Sequence, residues 1–378
     1  MGYRDYIKTI EDLERLYYSP MGAKYIQKVD APVITSTTGV YNAVYGKMVW
    51  TQVNQEANAF GVLSKFVWDK DGWRAVTARA ASTGGGVAEN AALPDTIKPT
   101  FAELSTKPKT IAHNFDVSEV QEFEAAISDN DAFGAMDEMR ALMGVHHKEM
   151  MNVMLFTDND TLAGNNLESL DRIMGSYSEI AGCLQTAGDL DIYGQDRDAA
   201  ASWTDAYVNH NSNTDRDLTD TILRTAFQNI RTNGGNTTVI LTKEDTYASI
   251  QGLYETQVRY NPIGEATAKI GVNGIQTKEG IGIGIDVATL YGVPLIVSKD
   301  CTADTIGRIF FLDTSDPEGY GKPRLGLKIA KPTQYFEAGM NAGDPFGINR
   351  LGTEGMYRTM GELLCHRFAG QGKIRDLK

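Results

Sequence analysis

The sequence has little cysteine, little proline and a shortage of positive charge. Its 378 residues include 3 Cys and 11 Pro, and 36 Lys and Arg stand against 49 Asp and Glu, which gives a formal net charge of −13. The cysteines, Cys183, Cys301 and Cys365, are odd in number and far apart. This spacing excludes a disulfide framework and predicts reduced thiols. The negative charge excludes a general nucleic-acid-binding protein, because phosphate contacts need a basic surface.

Long hydrophobic runs are also missing. Residues 1–20 carry charges where a signal peptide would need its apolar core. One apolar stretch, residues 280–298, alternates Gly with β-branched residues and is interrupted by Asp286 and Pro294. A membrane-spanning helix needs about 20 continuous apolar residues. The stretch is therefore predicted to form two strands joined by a Gly-containing turn, and no membrane partner is expected.

Motifs that carry enzyme chemistry are absent as well. The chain contains no GxxxxGK[ST], HExxH, CxxC or GxSxG sequence, which are the motifs of phosphate loops, zinc sites and nucleophile elbows. His146 and His147 are adjacent, so on a helix their side chains point about 100° apart and do not easily share one metal ion. We expect one of them to be packed and the other exposed. No catalytic, cofactor-binding or metal-binding residue is predicted.

The chain does have enough apolar material for a sizeable core. Its residues are 42% hydrophobic and 22% charged, which is typical of a globular protein, and the length predicts two or three domains of about 150 residues each. The charge is unevenly distributed, because residues 121–220 hold 20 Asp and Glu against 5 Lys and Arg. Such a run is usually a solvated face, and we expect it not to bind DNA.

The first third of the chain does not form a core of its own. Residues 1–45 are rich in Tyr and are predicted to form an extended arm. Residues 66–117 read as a long β-hairpin with a Gly-rich tip and few large apolar side chains. A two-stranded hairpin is not stable alone, so both segments are predicted to lie on another molecule. The predicted inter-subunit contacts are Tyr17, Tyr18, Trp73, Val76, Gly84, Gly85 and Phe101.

The rest of the chain has the periodicities of helices and buried strands. Residues 131–157 are predicted to form a long helix with an apolar stripe at helical spacing, made of Phe133, Met136, Met139, Met143, Met150 and Met154. From residue 217 onward amphipathic helices alternate with short apolar strands, among them 239–241 and 295–297. These strands and the stripe are expected to supply the core.

This order of parts resembles the major capsid protein of tailed double-stranded DNA viruses, the Hong Kong ninety-seven phage fold. The resemblance covers essentially the whole chain and includes the strand LYGVPLIVS at 290–298 and the closing segment NRLGTEGMYRTMGELLCHRFAGQGKIRDL. It implies an α+β fold built from an N-terminal arm (1–45), an extended loop (66–117), a peripheral domain (118–216) with a spine helix (131–157), an axial α/β domain (217–330) and a C-terminal return to the peripheral domain (331–378).

The resemblance also implies a function. Such a chain assembles as pentamers and hexamers into an icosahedral shell around double-stranded DNA, with no cofactor and no catalysis. The implied partners are copies of itself, scaffolding, portal and decoration proteins, and packaged DNA bound without sequence specificity. The implied location is the virion, assembled in the host cytoplasm. Two alternatives stay open, namely an encapsulin-like compartment shell and, from another class, an α/β enzyme with a β-hairpin arm.

Overall fold

The structure is a computed structural model. It describes residues 57–79, 88–89, 98–128, 135–158, 164–183, 191–197, 202–255, 288–340, 342–343 and 351–378. The predicted arm and the Gly-rich tip with Gly84 and Gly85 lie outside these residues. The described part of the chain contains no helix long and apolar enough to cross a membrane.

The described residues form seven α-helices and twelve β-strands. The helices are α1 (Asn58–Val62), α2 (Glu119–Ser128), α3 (Ala135–Leu155), α4 (Leu170–Ile173), α5 (Tyr177–Cys183), α6 (Asp220–Thr232) and α7 (Glu244–Glu255). The strands are β1 (Lys65–Val67), β2 (Gly72–Arg79), β3 (Pro99–Ser105), β4 (Lys109–Ser118), β5 (Tyr207–Asn209), β6 (Val239–Thr242), β7 (Ala288–Leu290), β8 (Val293–Val297), β9 (Ile309–Leu312), β10 (Leu325–Gly339), β11 (Gly352–Cys365) and β12 (Gly372–Ile374).

The chain divides into two compact units, and four elements run from one into the other along the sequence. The small unit contains Ile111–Glu149 and Pro332–Thr359, and the large unit contains Glu56–Thr110, Met150–Lys331 and Met360–Lys378. The predicted division into arm, loop, peripheral and axial domains stays a prediction.

The core of the small unit lies between α3 and strands β4, β10 and β11. Its buried side chains are Phe115, Val117, Met136 and Met139, with Met143, Tyr335 and Tyr357 packed against them. The start of α3 is held by Glu122, whose carboxylate accepts a hydrogen bond from the Met136 N–H at 3.0 Å. Gly355 is required by this packing, because a Cβ there would lie 2.6 Å from the Phe115 ring.

The large unit is built on a six-stranded mixed sheet with the order β5-β12-β9-β6-β8-β7. Strands β6 and β9 are buried at every position, as expected for continuous apolar runs covered on both faces. Thr219 caps the start of helix α6, since its side chain accepts a hydrogen bond from the Ile222 N–H, and the helix buries Leu223, Ala226 and Ile230. Two strands of this sheet, β5 and β12, lie outside residues 217–330, the range predicted for the axial domain.

The apolar stripe of α3 differs from the sequence prediction in its second half. Met136 and Met139 are buried, as predicted, but Met151 and Leu155 are buried where Met150 and Met154 are not. The buried row of the helix follows a spacing of four residues from Met139 onward, and this row includes His147. The prediction for the second half of the stripe, which relied on the hydrophobicity of Met150 and Met154, is therefore shifted by one residue along the helix. Phe133 lies outside the described residues.

The C-terminal strand β12 is held by a buried network of charges. Lys373 is fully buried, and its Nζ lies 3.1 Å from Asp171 Oδ1 and 2.8 Å from Glu179 Oε1. Arg375 NH1 lies 2.6 Å from the same oxygen of Glu179, and Arg308 lies 2.8 Å from Asp171. Burial raises the pKa of Asp171, but the charges of Arg308 and Lys373 outweigh it and hold the pKa below its usual range. The network joins β12 to α4 and α5.

Candidate assembly surface

Strands β2 and β3 form a separate two-stranded antiparallel sheet within the large unit. The other strands of the predicted extended loop pair elsewhere: β1 pairs with β10, and β4 lies beside β11. The hairpin therefore consists of Gly72–Arg79 and Pro99–Ser105, with one register irregularity between Val76 and Ala78.

The two faces of this hairpin differ in exposure. One face carries Trp73, half-buried, paired across the strands with the buried Leu104. The opposite face carries Val76 and Phe101, which are direct cross-strand partners and are 54% and 57% exposed. This alternation is the pattern of a sheet with one covered face and one open face.

A charged pair lies beside the exposed apolar pair. Arg74 and Glu103 are also cross-strand partners, and the Arg74 NH2 lies 2.8 Å from Glu103 Oε1, with both side chains 72% exposed. The outward face thus has an apolar centre next to a solvated ion pair. A surface of this composition is suited to contact another protein, since interfaces combine apolar centres with polar rims.

Trp73 lies against its own chain. Its ring packs edge-on against Tyr193 at 5.1 Å and against His366 at 5.5 Å between centroids. Of the seven predicted contact residues, Val76 and Phe101 are therefore brought together on an open face, and Trp73 anchors the hairpin from the other face. Tyr17, Tyr18, Gly84 and Gly85 lie outside the described residues. Tyr193 was not predicted, because nothing in the local sequence indicates its distant partner.

Charged groups hold the turn before the hairpin. Asp69 pairs with Lys322 and Lys328, and hydrogen bonds from these two lysines hold the pKa of the Asp69 carboxyl well below its usual range. The Lys328 ammonium also lies 4.9 Å from the centre of a Trp68 ring. The position where the chain enters the hairpin is thereby fixed to β10.

One group among the described residues has the spacing of a metal site. Cys183, His210 and Asp376 bring three potential ligand atoms within 4.8 Å of one another. The Asp376 Oδ2, however, already accepts hydrogen bonds from the N–H groups of Asn211 and Asn213 at 2.6 and 3.2 Å. Burial raises the pKa of the Cys183 thiol, which disfavours the thiolate that a metal requires. These residues fit a hydrogen-bonded turn better than a metal centre.

The three cysteines are all buried and free. The two adjacent histidines differ as expected, because His147 is buried and His146 is partly exposed. His147 Nδ1 lies 2.7 Å from His113 Nδ1, and its Nε2 lies 2.8 Å from Thr359 Oγ1. This histidine is therefore part of the packing of the small unit.

Solved structures with a similar fold include capsids and an encapsulin. A chain of the "Cyanophage A-1(L) capsid asymmetric unit" has a TM-score of 0.59 and 16% identity, with 87% of this chain and 95% of that chain covered. A chain of the "Capsid of native GTA particle computed with C5 symmetry" has a TM-score of 0.53 and 10% identity, with 95% of this chain and 97% of that chain covered. The SrpI encapsulin of Synechococcus elongatus has a TM-score of 0.50 and 10% identity, with 85% of this chain and 88% of that chain covered. These likenesses show the fold.

The family is shown by the sequence itself. A family model described as the SU10 major capsid protein matches residues 63–289, which is more than half of the chain. No curated protein sequence is detectably similar. The matched range includes the β2–β3 hairpin, α3 and the strands β5 and β6 of the six-stranded sheet. The chain belongs to the SU10 major capsid protein family, has the α+β fold of tailed-phage capsid proteins, and forms the shell of a virion capsid.

Proposed function

We propose that the chain is the repeating subunit of an icosahedral shell, assembled as pentamers and hexamers around double-stranded DNA, and that the outward face of the β2–β3 hairpin contacts a second copy. The observation that carries this proposal is the exposed cross-strand pair of Val76 and Phe101. The hairpin has a second face already packed on its own chain, so this pair is the part of it left for another molecule.

The energetics favour burial of this pair. Covering apolar surface is worth about 25 cal/mol per Å², and aromatic residues are enriched at the centres of interfaces. The neighbouring Arg74–Glu103 pair is exposed on both sides, so it can remain at the rim, where ion pairs carry little energy. The predicted contacts Tyr17, Tyr18, Gly84 and Gly85 stay part of this proposal.

The charge distribution agrees with a shell that holds its genome weakly. The net charge is −13, and a protein neutralises phosphates only with Lys and Arg. We infer non-specific contact with packaged DNA, a structural instead of a catalytic role, and assembly in the host cytoplasm with scaffolding, portal and decoration proteins.

An encapsulin-like compartment is the competing proposal, and the SrpI encapsulin is among the similar folds. The matching family model is described as the SU10 major capsid protein, and this match favours a genome-enclosing shell. Purified particles distinguish the two, because a viral shell carries or accepts DNA and a compartment carries a cargo protein.

The contact face is tested with the double variant Val76→Asp, Phe101→Asp. Because both side chains are exposed in the subunit, we expect its thermal unfolding to stay cooperative, and we expect particles to disappear in electron micrographs. Tyr320→Asp is the matched control, since Tyr320 is 76% exposed and lies outside the hairpin; this variant should assemble. Normal particles from the double variant would refute the proposed contact.

A further inference from the structure

A short turn in the large unit touches both strands of the hairpin. Ile192 and Gln195 form an antiparallel bridge, with Tyr193 and Gly194 at the tip of the turn. The Ser105 N–H donates to the Tyr193 carbonyl oxygen at 3.3 Å, and Gln195 Nε2 donates to the Glu103 carbonyl oxygen at 3.1 Å. The turn therefore lies along the outer edge of β3.

The side chain of Tyr193 reaches the other strand. Its ring packs edge-on against Trp73 of β2 and tilted against Phe368, with centroids 5.1 and 6.1 Å apart. Its hydroxyl donates a hydrogen bond to the Leu363 carbonyl oxygen of β11 at 2.8 Å. One buried side chain thus connects the hairpin to the strand that leads to the C-terminus.

The backbone of Tyr193 is strained. Its φ angle is +51°, and Gly194 follows with +78°. Two-residue turns with positive φ at both positions favour Asn-Gly or Asp-Gly, and a bulky residue in this conformation is strained. The turn alone would favour Asn at this position. The contacts of the Tyr193 ring and hydroxyl explain why a Tyr is found there instead.

The turn is also fixed from behind by two arginines. Arg172 of α4 donates to the Asp191 carbonyl oxygen. Arg197 donates to the carbonyl oxygens of Arg172, Ile173 and Thr204, and its guanidinium lies 5.7 Å from the centre of the Phe368 ring. Because both ends of the turn are tied to α4 and its surroundings, the position of Tyr193 is fixed independently of the hairpin.

We propose that Tyr193 is a positioning residue, which sets the orientation of the β2–β3 hairpin on the rest of the large unit and thereby presents Val76 and Phe101 to a second copy of the chain. The inference rests on the proposed function, because it assigns a partner to the exposed face. A hairpin of two strands is at best marginally stable alone, and on its covered face the ring of Tyr193, beside that of His366, holds it through Trp73.

The chain offers a matched control for this residue. Tyr291 and Gly292 form a second Tyr-Gly turn with φ angles of +51° and +80°, between β7 and β8. The Tyr291 ring contacts Phe227, and its hydroxyl donates to Asp220. Replacement by Asn relieves the same backbone strain in both turns but removes a ring contact with the hairpin only at Tyr193.

The experiment compares Tyr193→Asn with Tyr291→Asn by hydrogen exchange of the dispersed protein and by particle yield. In Tyr193→Asn we expect exchange to become at least tenfold faster at 72–79 and 99–105, with the protection of α6 unchanged, and the yield of particles to fall at least tenfold. Tyr291→Asn should change neither quantity. Tyr193→Phe, which keeps the ring, should retain most of the hairpin protection.

Three outcomes would overturn the proposal. The first is that the hairpin of Tyr193→Asn exchanges at the wild-type rate. The second is that the particle yield stays at the wild-type level although the hairpin exchanges faster. The third is that α6 loses protection as well, which would show that Tyr193 contributes to folding alone. Failure of the wild-type protein to form particles would instead refute the proposed function, while the exchange of the hairpin in the dispersed variants would still decide whether Tyr193 holds it.

Discussion

The β2–β3 hairpin and the six-stranded sheet of the large unit use β-structure in opposite ways. In the sheet, β6 and β9 bury every side chain. In the hairpin, alternate side chains are open to solvent, and the exposed ones include Val76 and Phe101. The difference indicates that the sheet supplies the stability of the subunit, whereas the hairpin supplies a surface whose apolar centre has no function in folding.

The largest expected loss of stability comes from the buried charges around β12 of this sheet. Lys373→Met removes the cation that faces Asp171 and Glu179. Asp171 keeps Arg308 and Glu179 keeps Arg375, so we expect the free energy of unfolding, measured by urea denaturation, to fall by about 3 kcal/mol, the lower end of the range for a broken buried ion pair. Lys378→Met, which removes an exposed lysine, should change it by less than about 0.5 kcal/mol. Equal stability of the two variants would contradict the role given to the network.

The second largest effect is a dependence on pH in the small unit. Burial, followed by the charges of His113 and His146, lowers the pKa of His147 to about 4, whereas a histidine in an unfolded chain titrates at about 6.5. The unfolded chain therefore binds the proton more readily, so the stabilisation is complete above pH ~6.5 and is lost as the pH falls towards 4. We expect a loss of about 2 kcal/mol at pH 5.

Urea unfolding at pH 7, 6 and 5 measures this loss. The groups that face His147 include His113 on β4, Tyr357 and Thr359 on β11, and His146 on its own helix. His147→Gln removes the contribution of this histidine and should reduce the dependence over this range, although burial also lowers the pKa of His113 and His366. His146→Gln should keep most of the dependence. An unchanged slope in His147→Gln would refute the assignment.

The smallest expected effect tests the helix that covers the sheet. Thr219→Ala removes the side-chain acceptor at the start of α6 and should lower the free energy of unfolding by about 1 kcal/mol. Thr232→Ala, at the exposed end of the same helix, should have less than half of this effect. Equal losses from the two variants would show that the cap does not contribute.

The sequence predicts the parts of this comparison that depend on local patterns. The apolar runs of β6 and β8 and the period of α6 are visible in the chain. The hairpin was predicted as well, but its two faces were not distinguished, because Trp73 was placed with Val76 and Phe101 among the inter-subunit contacts. The burial of Lys373 is not visible, because its partners Asp171 and Glu179 lie about 200 residues earlier. The contacts of Trp73 within its own chain are not visible for the same reason, since Tyr193 and His366 come together with it only in the fold; its predicted contact with a neighbour stays a prediction.

The central claim is that the outward face of the hairpin is open in the subunit and covered by a second copy in the shell. Hydroxyl-radical footprinting of Phe101 in the wild-type protein tests it directly, because oxidation of the ring reports its exposure. The account predicts ready oxidation of Phe101 in dispersed subunits and at least tenfold slower oxidation in assembled particles, with the buried Phe311 unreactive in both. Equal oxidation of Phe101 in the two states would contradict the claim.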